Sequence, residues 1–111
     1  MYEDIVHDTI ALYEKVDSTV SATQNDRAEF VGCLLRQAGH DFMDFRPSEN
    51  SDVRGGSDGC INFEDPDNKG IPECLARFDI PQLYDKWKDK VSLADFMVII
   101  AEAAIGRAAT D

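Results

Sequence analysis

Residues 93–107 place the tightest limit on how this chain can fold. Ala94, Phe96, Met97, Val98, Ile99, Ile100, Ala103, Ala104 and Ile105 put apolar groups on most sides of a helix predicted over about 92–107. A helix with so little polar surface is buried. Burial needs neighbours on every side, and 111 residues supply few of them. The chain therefore reads as one incomplete domain, residues 1–111, belonging to a larger assembly. Ser92 with Asp95 three residues on gives a capping-box signal at the start of this helix.

Four further helices follow from periodicity and end signals, so the fold class is all-α. Ile5, Val6, Ile10, Tyr13 and Val16 recur at helical spacing over about 3–19, with acidic residues early, where the helix dipole favours them. Asn25-Asp26 offers an N-cap to a helix over 26–42, and Glu29 completes a near capping box. Its expected apolar face is Phe30, Val31, Leu34, Leu35 and Ala38. Pro72 and Pro81 suit the first turns of two short helices over 72–78 and 81–88, with Tyr84 and Trp87 as core anchors of the second. Between the 26–42 and 72–78 helices, residues 43–71 collect prolines, glycines and acids and read as one long acidic loop; loops of that length are usually functional or disordered.

Acidic residues outnumber basic ones 22 to 11, a net charge of −11. Such a field repels nucleic acid and anionic membrane and attracts cations. No apolar run approaches the roughly 20 residues that span a bilayer. The start, Met-Tyr-Glu-Asp, lacks the basic and apolar stretches of a signal peptide; this fits a cytosolic or organellar protein, or a mature chain already trimmed. Three cysteines leave at least one thiol without an intrachain partner. Cys60 and Cys74 could close a short loop, and Cys33 falls mid-helix as a buried structural thiol or at the border of a cleft. No C-x-x-C spacing points to zinc or to a thioredoxin-like site.

Arg36 and His40 are four residues apart and so share one helix face. A guanidinium beside an imidazole suits peroxide chemistry, because one group moves a proton while the other stabilises developing negative charge. The plain alternative is a surface helix carrying an ordinary Arg and His. Gly39 lowers helix propensity and leaves open space beside His40. Two other motifs fail. The stretch Asp65-Pro66-Asp67-Asn68-Lys69-Gly70 imitates a calcium-binding EF-hand loop, but Ala76 stands where a bidentate Glu is required and Lys69 takes a ligand position. Gly55-Gly56 lacks the Lys-Ser/Thr of a phosphate loop.

Taken in order, four segments resemble the distal, N-terminal half of the plant-type haem peroxidase superfamily. Arg36-Gln37-Ala38-Gly39-His40-Asp41 resembles that family's Arg-x-x-aromatic-His-Asp on the distal helix. Gly55-Gly56-Ser57-Asp58-Gly59-Cys60-Ile61 resembles its Gly-Gly-x-Asp-Gly-Ser-Ile calcium loop, and the insertion before it resembles the secreted fungal branch. Asn68-Lys69-Gly70-Ile71 resembles the Asn-x-Gly-Leu segment, and Val91-Ser92-Leu93-Ala94-Asp95 resembles the Val-Ser-x-Ala-Asp helix start. The match covers essentially the whole chain.

The resemblance implies haem and calcium as cofactors. His40 would be the distal acid–base, Arg36 would stabilise charge as the O–O bond breaks, and Asn68 would accept the second imidazole N–H. Both Arg36 and His40 would border the haem. Asp41, Asp58 and the backbone oxygen of Gly56 would hold calcium behind the distal helix, with Cys60 at the position of a ligating Ser. Three departures count against a complete enzyme. Gly39 replaces the aromatic residue. Cys60 puts a thiol, a poor ligand for a hard cation, in the calcium set, or frees the position for a disulfide with Cys74. No residue matches the proximal histidine, the other histidine being His7.

Two functions stand. The first is the distal part of a peroxidase reducing hydrogen peroxide, with a second chain or a missing C-terminal half supplying the proximal ligand; a secreted or organellar setting goes with the family. The second is a non-catalytic peroxidase-like scaffold that binds partners and a cation. The peroxidase reading depends on Arg36 and His40 facing a shared cavity that another polypeptide closes from below.

Overall fold

A computed structural model describes residues 1–16, 25–43, 46–47, 53–54 and 69–110, with side chains over 1–16, 25–41 and 69–110. The architecture is all-α, as periodicity predicts. The helices among the described residues are α1 (Tyr2–Lys15), α2 (Asp26–Met43), α3 (Ile71–Arg77), α4 (Ile80–Trp87) and α5 (Leu93–Ala108). A two-residue antiparallel pairing joins β1 (Arg46–Pro47) to β2 (Val53–Arg54), with Arg46 opposite Arg54 and Pro47 opposite Val53. The acidic stretch expected as bare loop thus contains a short β pairing.

Helix starts follow the local signals. The Asn25 side chain accepts from Ala28 N–H at 3.0 Å and caps α2. The Ser92 hydroxyl accepts from Asp95 N–H at 3.1 Å and caps α5, each bond satisfying one amide that the helix leaves unpaired. Asp26 and Glu29, read as part of α2's capping box, serve a different end: both bind the Arg77 guanidinium at the end of α3. Pro72 and Pro81 sit in the first turns of α3 and α4. Gly70, capping α3 at φ 89°, occupies a conformation open to glycine at little cost.

α1 stops earlier than its periodicity suggests. It ends at Lys15, and Val16 is already extended at φ −73°, ψ 138°. The reason is tertiary: Arg27 of α2 reaches back, its Nε donating to the Val16 carbonyl at 3.2 Å and Nη2 to the Glu14 carbonyl at 3.5 Å. These bonds satisfy carbonyls that a helix terminus leaves without partners.

α5 is the central strut and packs along both α2 and α1. Phe96, Met97, Ile100, Ala101, Ala103 and Ala104 are buried, the alanines allowing neighbouring helices to come close. The expectation of burial on every side is not met. Val98 and Ile105 are 49% and 44% exposed, and with Glu102 they form a single solvent-facing stripe. The core then runs through Ile5 and Tyr13 of α1, Phe30 and Leu34 of α2, Ile71 and Leu75 of α3, and Leu83 and Trp87 of α4. Phe30 stands at its hub, its ring edge-on to Tyr13 at 5.9 Å and to Phe78 at 5.2 Å. Tyr84 packs against Phe96 at 5.0 Å, and Trp87 is buried, so both serve as the core anchors expected of them.

The buried stripe of α2 is Phe30, Cys33, Leu34, Gln37 and Asp41. Leu35, expected on the apolar face, is 43% exposed instead. The i, i+4, i+7, i+11 series from Phe30 carries the true inward side, and it ends on two polar residues. A search for apolar residues alone misses that half of the stripe.

Candidate functional site

The candidate site is the side of α2 that faces α3, from Cys33 to Asp41. Besides the pairing of Arg77 with Asp26 and Glu29, two ties hold these helices together. The first is a disulfide, Cys33–Cys74, with Cα atoms 6.1 Å apart and 41 residues of separation. This corrects the expected Cys60–Cys74 pairing and the reading of Cys33 as a free thiol. The short chain separation of 60 and 74 suggested one loop, but packing of α3 on α2 brings Cys33 within bonding geometry of Cys74. Once Cys74 is taken, Cys60 has no cysteine left in this chain to pair with.

The second tie is Arg36. One turn beyond Cys33, its guanidinium Nη2 donates to the Lys69 carbonyl at 3.0 Å. Nη1 lies against Gly70, where a Cβ built on the glycine would stand 3.7 Å away. Arg36 therefore binds the backbone just before α3, at Lys69 of the Asn68-Lys69-Gly70-Ile71 segment. Its side chain is exposed, and His40, one turn further along α2, is half-buried. A Cβ placed on Gly39 meets nothing within 4 Å, so the space beside His40 is open, as the glycine implies.

The cavity expected beneath Arg36 and His40 is one that another polypeptide closes from below, and no such chain is present. Two cavities that the described residues do line lie elsewhere. One of about 560 Å³ sits between α1 and α4 against Asp8, Leu12, Lys15, Gln82, Leu83 and Lys86. A smaller one of about 240 Å³ adjoins it, touching Val16, Asp26, Arg77 and Phe78. Neither is lined by Arg36 or His40.

Of the two buried polar residues beside the pair, sequence reasoning missed Gln37 and named Asp41 only as a calcium candidate. Gln37 is 6% exposed and its Oε1 has no hydrogen-bond partner among the described residues, while Asp41 is 1% exposed. An unpaired buried acceptor costs about 1–3 kcal/mol. Asp41 was the one calcium candidate on a helix. Its carboxylate is turned into the protein, away from the exposed Arg36, in keeping with the turn of roughly 100° per residue. Among the described residues no three His, Cys, Asp or Glu side chains stand together as a metal-holding group. Gly56, Asp58, Cys60 and Asn68 lie outside the described residues, as does most of the 43–71 stretch.

A haem can be tested against the side chains present. Arg36 and His40 offer a hydrogen-bond donor and a base on one open side of α2, which fits the peroxide face of such a group. The iron-ligating face finds no equivalent. His7 is exposed on α1, an element packed along α5. For calcium, Asp41 supplies a fitting oxygen donor and Cys60 an unfitting sulfur.

No helix among the described residues is long and apolar enough to cross a membrane. Comparison with known proteins finds no matching family model, no matching curated protein and no matching solved structure.

Proposed function

We propose that this chain supplies the peroxide-facing half of a haem-peroxidase-like site, completed by a second chain or further segment that carries the proximal ligand. The observation that supports it is the spacing and exposure of Arg36 and His40. They stand one turn apart on α2, Arg36 exposed and bonded to the backbone just before α3, His40 half-buried. Haem, when bound, supplies the iron at which the O–O bond is cleaved. His40 takes a proton from hydrogen peroxide and returns it to the departing oxygen. Arg36 turns its guanidinium toward the negative charge that builds on that oxygen. Asn68 fixes the imidazole tautomer by accepting its other N–H. In the same proposal Asp41, Asp58 and the Gly56 carbonyl would supply oxygen ligands to a calcium ion, with Cys60 leaving that set one ligand short.

The exposed stripe of Val98 and Ile105 on α5 supports the need for a second polypeptide. A scaffold reading has its own support: the Arg36 guanidinium is committed to a backbone carbonyl, and the described residues hold no proximal ligand. Absorbance of the native assembly separates the two. A Soret band that disappears when the companion chain is removed, with peroxide turnover lost in His40→Leu, supports the enzyme. A colourless assembly rejects it in favour of the scaffold.

A further inference from the structure

The solvent side of α5 is the part of the fold that packing within the chain leaves unexplained. Asp95, Val98, Glu102, Ile105 and the C-cap residue Ala109 are all exposed, and they follow one another at alternating intervals of three and four residues. That is the repeat by which one helix presents a seam to another. A face meant only for water carries polar groups at such positions. Here Val98 and Ile105 take two of them, one on either side of Glu102 along the helix. Tyr2, 46% exposed, joins the same face, its hydroxyl donating to Glu102 Oε1 at 3.2 Å. Three of the five large apolar side chains exposed among the described residues (Met1, Tyr2, Leu35, Val98 and Ile105) are thus Tyr2, Val98 and Ile105 on this face. Gly106, one turn beyond Glu102, is exposed too, and a Cβ built there meets nothing within 4 Å. Packing within the chain therefore does not require a glycine, whereas its small size lets a second helix approach closely.

Charge decides what kind of helix fits. Asp8, Glu14, Asp26 and Glu29 each take a basic partner, but Asp95 and Glu102 have none among the described residues. A second copy laid symmetrically on the seam would set Glu102 against Glu102 between two chains of net charge −11. We propose that this seam docks an amphipathic helix of a second polypeptide, whose apolar side chains cover Val98 and Ile105 and whose arginine enters between them to meet Glu102. The guanidinium takes the carboxylate oxygen that Tyr2 leaves unused, and the exposed Tyr2 ring beside it offers a face on which a planar cation stacks. An acid in the seam also rejects helices that bring an acid to that point.

The inference takes from the proposed function only that a second polypeptide joins this chain. Its test involves no haem, so either can fail without the other. The probe is a three-heptad helical peptide with leucine at its seam positions and arginine at the central one, titrated into the whole chain and followed by amide NMR. Shifts are expected at Val98, Glu102, Ile105 and Tyr2, and a scrambled peptide of the same composition binds roughly tenfold or more weakly. Glu102→Lys loses the arginine peptide by a similar factor and gains a peptide with glutamate in its place. Ile105→Ser weakens both. These side chains are exposed, so circular dichroism of the variants stays that of the wild type. Equal binding of the scrambled peptide overturns the proposal, since it reduces to attraction between a basic peptide and an acidic chain. Shifts centred elsewhere, no shifts at all, or charge reversal without recovery overturn it equally. Sedimentation that shows the chain self-associating, with loss of association in Ile105→Ser, overturns it in favour of a second copy.

Discussion

The Trp87 indole donates to Asp8 Oδ2 at 3.1 Å, joining residues 79 positions apart and tying α4 to α1. The same oxygen accepts Lys86 Nζ at 2.8 Å. Trp87 is otherwise sheltered by cations, with Lys86 and Lys90 at 5.3 and 5.5 Å from its ring. One carboxylate oxygen thus anchors the polar edge of a buried aromatic residue. Asp8→Ala leaves the indole N–H without its acceptor and is expected to cost about 1–2 kcal/mol, read by urea denaturation with Trp87 fluorescence as the probe.

The same contact predicts a pH dependence. The Lys86 hydrogen bond, aided by that of Trp87, holds the Asp8 carboxyl below its ordinary value of 3.8, with burial opposing. The folded value lies below the unfolded one, so the contribution is fully present above the unfolded value and is lost as the pH falls through the folded one. Thermal melts of the wild type and Asp8→Asn are expected to differ by a constant gap above about pH 5 and to converge in acid. A gap that widens on acidification contradicts the assignment.

The disulfide predicts a thiol count. With Cys33 and Cys74 joined, alkylation of the unreduced, denatured chain adds one label, and peptide mapping places it at Cys60. Three labels, or one at Cys33, would contradict the pairing. Closing a loop of this length restricts the unfolded chain, so the reduced protein is expected to be less stable by roughly 4 kcal/mol.

Gln37 offers a gain in stability. Its buried Oε1 is without a partner among the described residues, and an apolar side chain of similar length removes that desolvation cost. Gln37→Met is expected to stabilise by about 1 kcal/mol in a denaturant titration. A loss of similar size would mean that the amide has a role beyond packing.

Packing predicts a sharp contrast between two apolar residues. Phe30 is fully buried between the rings of Tyr13 and Phe78, so Phe30→Ala is expected to cost about 3–5 kcal/mol. Val98 is 49% exposed, and Val98→Ala is expected to stay within roughly 0.5 kcal/mol for the isolated chain. Thermal melts of both variants check the pair. A large loss at Val98 would place it in an interface already formed in solution.

The helix count, the capping by Asn25 and Ser92, and the proline starts of α3 and α4 could be read from the chain alone. Those features depend on residues within about one turn of each other, where backbone hydrogen bonding and side-chain period act without help from the rest of the fold. Tertiary packing decided what lies between distant residues. Arg27 cut α1 short at Lys15, and Cys33 rather than Cys60 took Cys74. Gln37 and Asp41 were drawn inward while Leu35 was left outside, and Arg36 was turned onto the Lys69 carbonyl. Each outcome turns on which helix faces meet, and that is settled by the summed burial of a core that runs through all five helices, a quantity no single stretch of sequence contains.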